Sequence, residues 1–159
     1  VLNNRKVPNP IRLIDHKQSN TLYTFDSELQ GRGLGYGDGK PNRNYVTKWK
    51  NTNQWTKWNL RSSAPVEYTV YLDYNTQGKN DTGTVVVEIA GQKLEANYST
   101  YPEQKGTNSL RLGKVKLPKG SFECSLKGKQ YQGSQYMTPI AVRLESKHGS
   151  NLCIAITSK

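Results

Sequence analysis

Val66-Glu67-Tyr68-Thr69-Val70-Tyr71-Leu72-Asp73-Tyr74 sets Tyr68, Val70, Leu72 and Tyr74 in one phase and Thr69, Tyr71 and Asp73 in the other. Successive side chains of a strand point to opposite faces, so this run reads as a strand with one face buried. Val85, Val87 and Ile89 share a phase in the same way, against Val86 and Glu88. Outward from these two runs the alternation recurs over residues 21–30, 55–60, 66–74, 84–90, 92–98, 110–117, 120–127, 140–146 and 152–157. No window of a dozen residues sustains apolar spacing of three and four, so helices are not expected. Nine strands exceed what one open sheet holds comfortably, and two antiparallel sheets packed face to face would bury both apolar rows. The reading is all-β, a sandwich.

The breaks fall where turn chemistry puts them. Ala90-Gly91-Gln92 and Pro118-Lys119-Gly120 are tight connections, while residues 31–39, 75–83 and 128–139 read as long exposed loops. Residues 1–18, with two prolines in Val7-Pro8-Asn9-Pro10-Ile11, read as a linker or edge segment of a piece cut from a longer polypeptide. Residues 19–159 read as a single domain, a size that supports one hydrophobic core. No run approaches 18 apolar residues, so no membrane-spanning helix is expected. Cys124 shares a phase with Phe122 and Leu126, whereas Cys153 is out of phase with Leu152, Ile154 and Ile156. Two unpaired thiols are expected, with one bridge as the alternative.

Lysine and arginine number 23 against 12 acidic residues, a net charge of +11. Such an excess attracts polyanions in a salt-dependent way, whether nucleic acid, anionic lipid or acidic glycan. All three tryptophans, Trp49, Trp55 and Trp58, fall within ten residues, with Lys48, Lys50 and Lys57 beside them. Aromatic faces near cations suit a flat, polar, negatively charged ligand. Trp58 shares the phase of Leu60 and belongs to the core. Trp55 is in the opposite phase and Trp49 precedes the strand, so these two are the surface candidates.

Catalysis finds little support. His16 and His148 belong to no triad motif, and neither a zinc-protease helix motif nor a nucleophile elbow occurs. The glycines of Gly31-Arg32-Gly33-Leu34-Gly35-Tyr36-Gly37-Asp38-Gly39 lack the lysine and hydroxyl ending of a phosphate loop. No basic-aromatic strand signature of an RNA-binding domain is present, which argues against nucleic acid.

Three stretches in order, Tyr23-Thr24-Phe25-Asp26-Ser27-Glu28-Leu29-Gln30-Gly31, Trp55-Thr56-Lys57-Trp58-Asn59-Leu60 and Glu67-Tyr68-Thr69-Val70-Tyr71-Leu72-Asp73-Tyr74, resemble the galactose-binding-like β-sandwich modules, especially carbohydrate-binding modules of families 6 and 35. Val85 to Leu94, Gly113 to Phe122 and Ile140 to Leu144 extend the likeness over about residues 20 to 146. The glycine usual before the Tyr68 strand is replaced, and the segment after Glu145 is additional. The resemblance implies a jelly roll that binds a polysaccharide without catalysis, attached to a secreted glycan-degrading enzyme, monomeric and extracellular. With the charge, an anionic ligand, sulfated or uronic, is expected; the alternative is an accessory sandwich that packs on a catalytic domain and binds nothing.

In the resembling modules loops at one end of the sandwich hold the ligand. By that analogy Tyr36, Tyr45, Trp49, Tyr101, Tyr131 and Tyr136 are candidate sugar contacts, beside Trp55. Arg43, Lys48 and Arg111 are candidate partners for sulfate or carboxylate, through paired or single charged donors. No cofactor is required. Asp26 and Glu28 read as facing the same side of one strand, and a similarly placed pair in those families helps hold a structural calcium ion, with Glu145 as a guessed third ligand.

Overall fold

The computed structural model describes residues 11–37, 45–75, 81–99, 108–133 and 135–146. Twelve strands follow one another: β1 Ile11–Ile14, β2 Asn20–Tyr23, β3 Glu28–Gln30, β4 Gly35–Tyr36, β5 Val46–Thr47, β6 Trp55–Ser62, β7 Val66–Asn75, β8 Thr82–Ile89, β9 Gln92–Tyr98, β10 Asn108–Leu117, β11 Gly120–Gln132 and β12 Thr138–Ser146. One sheet has the order β1-β6-β11-β8-β9, with β3 also on β6; the other has the order β10-β7-β12-β2; β4 and β5 form a short ribbon. All pairings are antiparallel except that of β1 with β6, so the two main sheets are antiparallel as expected. Among the described residues no helix is long and apolar enough to cross a membrane.

The inner rows are those that alternation marked. Tyr68, Val70, Leu72 and Tyr74 of β7, with Val142 and Leu144 of β12, are buried in one cluster with Val85, Val87 and Ile89 of β8, Cys124 and Leu126 of β11, and Trp58 and Leu60 of β6. Burying one such aliphatic side chain is worth about 1.5–3 kcal/mol, so the rows together fix which face of every strand is inside. Trp58 is fully enclosed, and its indole nitrogen donates to the Tyr23 carbonyl at 3.0 Å. Cys124 is a free buried thiol whose pKa burial pushes up, which keeps it protonated and unreactive. Cys153 and the strand expected at 152–157 lie outside the described residues.

Two strand readings are corrected. The run expected at 21–30 is cut by a 3-10 turn, Thr24–Asp26, where the chain passes from the β2 sheet to the β3 sheet. Thr24 donates through its hydroxyl to the Pro139 carbonyl at 2.7 Å and Ser27 donates to Thr24 O at 2.6 Å, so hydroxyls take over backbone pairing at the corner. Gly128 is not the start of a loop either, because β11 continues to Gln132 through a bulge between Gly128 and Gln130. The glycine is required there by the Tyr136 ring, whose carbons a Cβ at Gly128 would strike. Gly83 on neighbouring β8 is covered in the same way by the Tyr98 ring, at 2.6 Å from the position a Cβ would take.

Gly128→Ala is therefore expected to destabilise the fold by about 1–3 kcal/mol in urea unfolding, whereas Ser121→Ala, at an exposed position of the same strand, stays within about 0.5 kcal/mol. A second expectation concerns Tyr68, whose hydroxyl accepts from Asn20 at 2.9 Å and lies 3.0 Å from the Asp15 and Gln18 carbonyls. Burial, opposed by the Asn20 hydrogen bond and reinforced by Asp15, leaves its pKa pushed up to about 12 from the ordinary 10.0. The raised value favours the neutral phenol in the folded state. Its contribution to stability is whole below about pH 10 and is lost as pH rises toward 12. Chemical unfolding followed across that window should show the decline, and Tyr68→Phe should flatten it.

Candidate functional site

Long connections leave the sandwich at the end where β6, β8 and β12 begin and β7, β9 and β11 finish. There the sequence placed its sugar-binding rings, and several do meet. Trp49 stacks on Tyr136 with centroids 4.5 Å apart at 27°, and Tyr131 lies 4.6 Å from Tyr136. The stack faces inward. Trp49 and Tyr136 are each 2% exposed, which corrects their assignment as surface contacts, and only Tyr131 is half-buried. The Trp49 indole donates to Gln54 O at 2.8 Å, and Tyr136 N donates to Trp49 O at 2.8 Å. Gln54 is itself buried, and its side-chain oxygen accepts from Lys50 N at 2.6 Å and Asn51 N at 3.1 Å. These bonds satisfy the backbone of a loop that enters the interior, and the aromatic surface serves packing.

The other candidates scatter. Tyr36 is 45% exposed, packs edge-on against Phe25 at 5.6 Å and donates its hydroxyl to Ser27 O. Its pKa is raised by burial first, then by Glu28 and Asp26. Tyr45 is half-buried, and its carbonyl accepts from Gly37 N at 2.7 Å. Lys48 is exposed, with a left-handed φ of 64°. Arg111 is exposed on β10, in the other sheet. Arg43 and Tyr101 lie outside the described residues. A single rim shared by all the rings and cations is not what the described residues form.

Trp55 is half-buried, in the phase opposite to buried Trp58. It opens β6 on the outer face, where Gln30 of β3 is its register partner. A groove of about 470 Å³ runs over this face, lined by Gln30, Trp55, Lys57, Glu88, Glu123 and Lys127 among others. Lys127 Nζ lies 5.3 Å from the Trp55 ring centroid. Lys57 pairs with Glu123 at 3.5 Å and Lys127 with Glu88 at 3.7 Å. Exposed pairs of this length are worth about 0–1 kcal/mol, so a ligand's hydroxyls can recruit either partner at small cost. Gln30 adds an amide, held by donation to Glu28 at 2.6 Å. The groove thus offers an aromatic face, an amide, two ammonium groups and two carboxylates, with their charges balanced.

Sequence reasoning missed Gln30, Glu88, Glu123 and Lys127. Each is legible as an outward residue of its strand. What a single sequence does not carry is the order β3-β6-β11-β8, which brings them side by side.

Asp26 and Glu28 do not share a strand face, since Asp26 sits in the 3-10 turn and Glu28 on β3. Arg12 faces Asp26 at 3.7 Å, and Glu145 is engaged by Arg143 at 3.0 Å. Calcium takes about six to eight oxygens. Among the described residues no group of three or more histidine, cysteine, aspartate or glutamate side chains stands together, and Asp26, Glu28 and Glu145 do not form the expected set.

The chain matches no family model, and no curated protein matches it either. Solved structures with similar folds exist. A family 35 carbohydrate binding module from Clostridium thermocellum is 10% identical with a TM-score of 0.61, over 80% of this chain and 98% of that one. A Podospora anserina β-(1,4)-mannanase described as GH26-CBM35 is 16% identical with a TM-score of 0.63, over 81% of this chain and 28% of the enzyme. The insecticidal crystal protein Cry2Aa is 10% identical with a TM-score of 0.68, over 87% of this chain and 23% of that one. The chain therefore spans about a quarter of the length of the two larger proteins. At these identities the likeness is one of fold: a β-sandwich similar to that of the family 35 module.

Removing divalent metal with EDTA is expected to leave the melting temperature unchanged. A fall of several degrees, reversed by added calcium, would restore the calcium reading.

Proposed function

We propose that this chain is a non-catalytic carbohydrate-binding module and that the groove beside Trp55 holds its polysaccharide ligand. The observation that carries the reading is an indole on the outer sheet face, flanked by Gln30, Lys57, Glu88, Glu123 and Lys127 within one open groove. A pyranose ring has C–H faces that gain from contact with an indole and hydroxyls that pair with amide, ammonium and carboxylate groups. A sugar stacking on Trp55 would take the place of the Lys127 ammonium, which then becomes a donor to the neighbouring unit.

Two finer parts belong to the same proposal. The ligand is anionic, sulfated or uronic, on the ground of the +11 net charge. The module is extracellular and serves an attached polysaccharide-degrading enzyme, in line with the arrangement of the Podospora mannanase. A second reading, an accessory sandwich that binds nothing, draws support from the burial of Trp49 and Tyr136, rings that would otherwise be the natural loop platform.

Affinity electrophoresis through galactomannan, xylan, polygalacturonate and heparin separates the two. Retention by at least one glycan is expected, and Trp55→Ala should weaken it at least tenfold, about 1.4 kcal/mol or more, with an unchanged circular dichroism spectrum. No retardation of the parent protein by any of the four would favour the accessory reading.

A further inference from the structure

The net charge of the chain and the charge of the groove do not coincide. In the groove Lys57 and Lys127 are matched by Glu123 and Glu88. Three of the cations without an ion-pair partner among the described residues stand on the opposite side of the sandwich, along β10, the edge strand of the second sheet. Arg111, Lys114 and Lys116 are all exposed there. Arg111 and Lys114 are three residues apart and would face opposite ways on a regular strand. The bulge between Arg111 and Gly113, with Gly113 at a φ of 145°, removes that conflict. In the resulting register Arg111, Lys114 and Lys116 lie opposite Tyr71, Thr69 and Glu67, alternate residues of β7. The three cations therefore share one face and repeat at about 6.8 Å.

The same face has its carboxylates occupied. Arg143 on β12 holds Asp73 at 2.8 Å and Glu145 at 3.0 Å, and Ser109 donates to Asp73 at 2.7 Å. The Arg143 guanidinium lies 4.9 Å from the Tyr71 ring centroid. None of Arg111, Lys114 and Lys116 has an ion-pair partner among the described residues, and Glu67 is the one carboxylate on this face outside the Arg143 network among them. We infer that the outer face of β10, with Arg111, Lys114 and Lys116, is a second binding surface, for a linear polysaccharide bearing carboxylate or sulfate groups.

The row fits such a ligand by charge and by its regular spacing. Nucleic acid is the less suited polyanion, because single strands bind through stacked bases and the ring on this face, Tyr71, has a guanidinium over it. The inference rests on the proposed function for its choice of a glycan, and it assigns the anionic part of the ligand to a surface separate from the Trp55 groove. Two contacts on opposite faces would let one module bridge two chains, or hold an acidic chain while the groove takes a neutral stretch.

The test compares the parent protein with Arg111→Gln/Lys114→Gln/Lys116→Gln and with Lys17→Gln/Lys50→Gln/Lys93→Gln, which removes the same charge from exposed positions elsewhere. Heparin and polygalacturonate affinities are measured over a salt series, with a single-stranded oligothymidylate of equal charge as competitor. The β10 triple variant is expected to lose roughly tenfold in heparin affinity near 0.1 M salt, its dependence of log K on log salt shallower by about two to three. The control variant should lose far less, and whichever glycan binds in a Trp55-dependent way should be retained by the β10 variant as by the parent. Equal losses in both triple variants, or no loss in the β10 variant, would overturn the inference in favour of diffuse charge. Oligothymidylate competing as well as polygalacturonate would overturn it in favour of nucleic acid. A Trp55→Ala variant that keeps all glycan binding, beside a β10 variant that loses heparin, would sink the groove and leave the β10 surface standing.

Discussion

The contact of two apolar rows across the sandwich, Tyr68, Val70, Leu72 and Tyr74 facing Val85, Val87 and Ile89 with their neighbours, decides everything outside it. Because the side-chain period of a strand is two, a slip of one residue would carry a whole row into water, so burial holds each strand in a single register. The outer faces are then the complements of the inner ones. Trp55 and Lys57 point out because Trp58 and Leu60 point in; Glu123 and Lys127 point out because Cys124 and Leu126 point in. A recognition surface arises on this sheet as a consequence of a core requirement.

This explains what the amino-acid sequence discloses and what it withholds. Alternation in β7 and β8 is enough to predict two packed sheets, and the phase of Trp55 against Trp58 correctly separates a surface indole from a core one. The loops behave otherwise. Trp49 and Tyr136 lie outside any period, and nothing local distinguishes a ring that stacks on sugar from one that stacks on another ring inside; a stack formed across 87 residues of sequence decides it here. Gly128 misleads for a related reason, since a glycine that makes room for a ring reads the same as one that makes a turn. The corner at Thr24–Asp26 was hidden because Thr24 finds its acceptor at Pro139, on another strand. The side-by-side order of β3, β6, β11 and β8 is a property of pairing at long range, which a single sequence does not display.

Charge follows the same division. Pairing neutralises cations locally wherever strands bring opposite signs together, as at Arg143 with Asp73 and Glu145, and leaves the surplus to the others. Among the cations without such a partner, a bulge aligns three on one face of β10. A whole-chain excess is thus a poor guide to where an anion sits, and register is a better one.

The tyrosines laid over Gly83 and Gly128 have a further meaning. Each is half of a two-part fitting whose other half is a missing side chain on a different strand. Enlarging the glycine alone jams the fitting, and shrinking the ring alone leaves a void between strands. In any lineage carrying this sandwich, the two positions of each fitting would have to drift jointly, so that co-substitution of glycine and ring should trace these two seams.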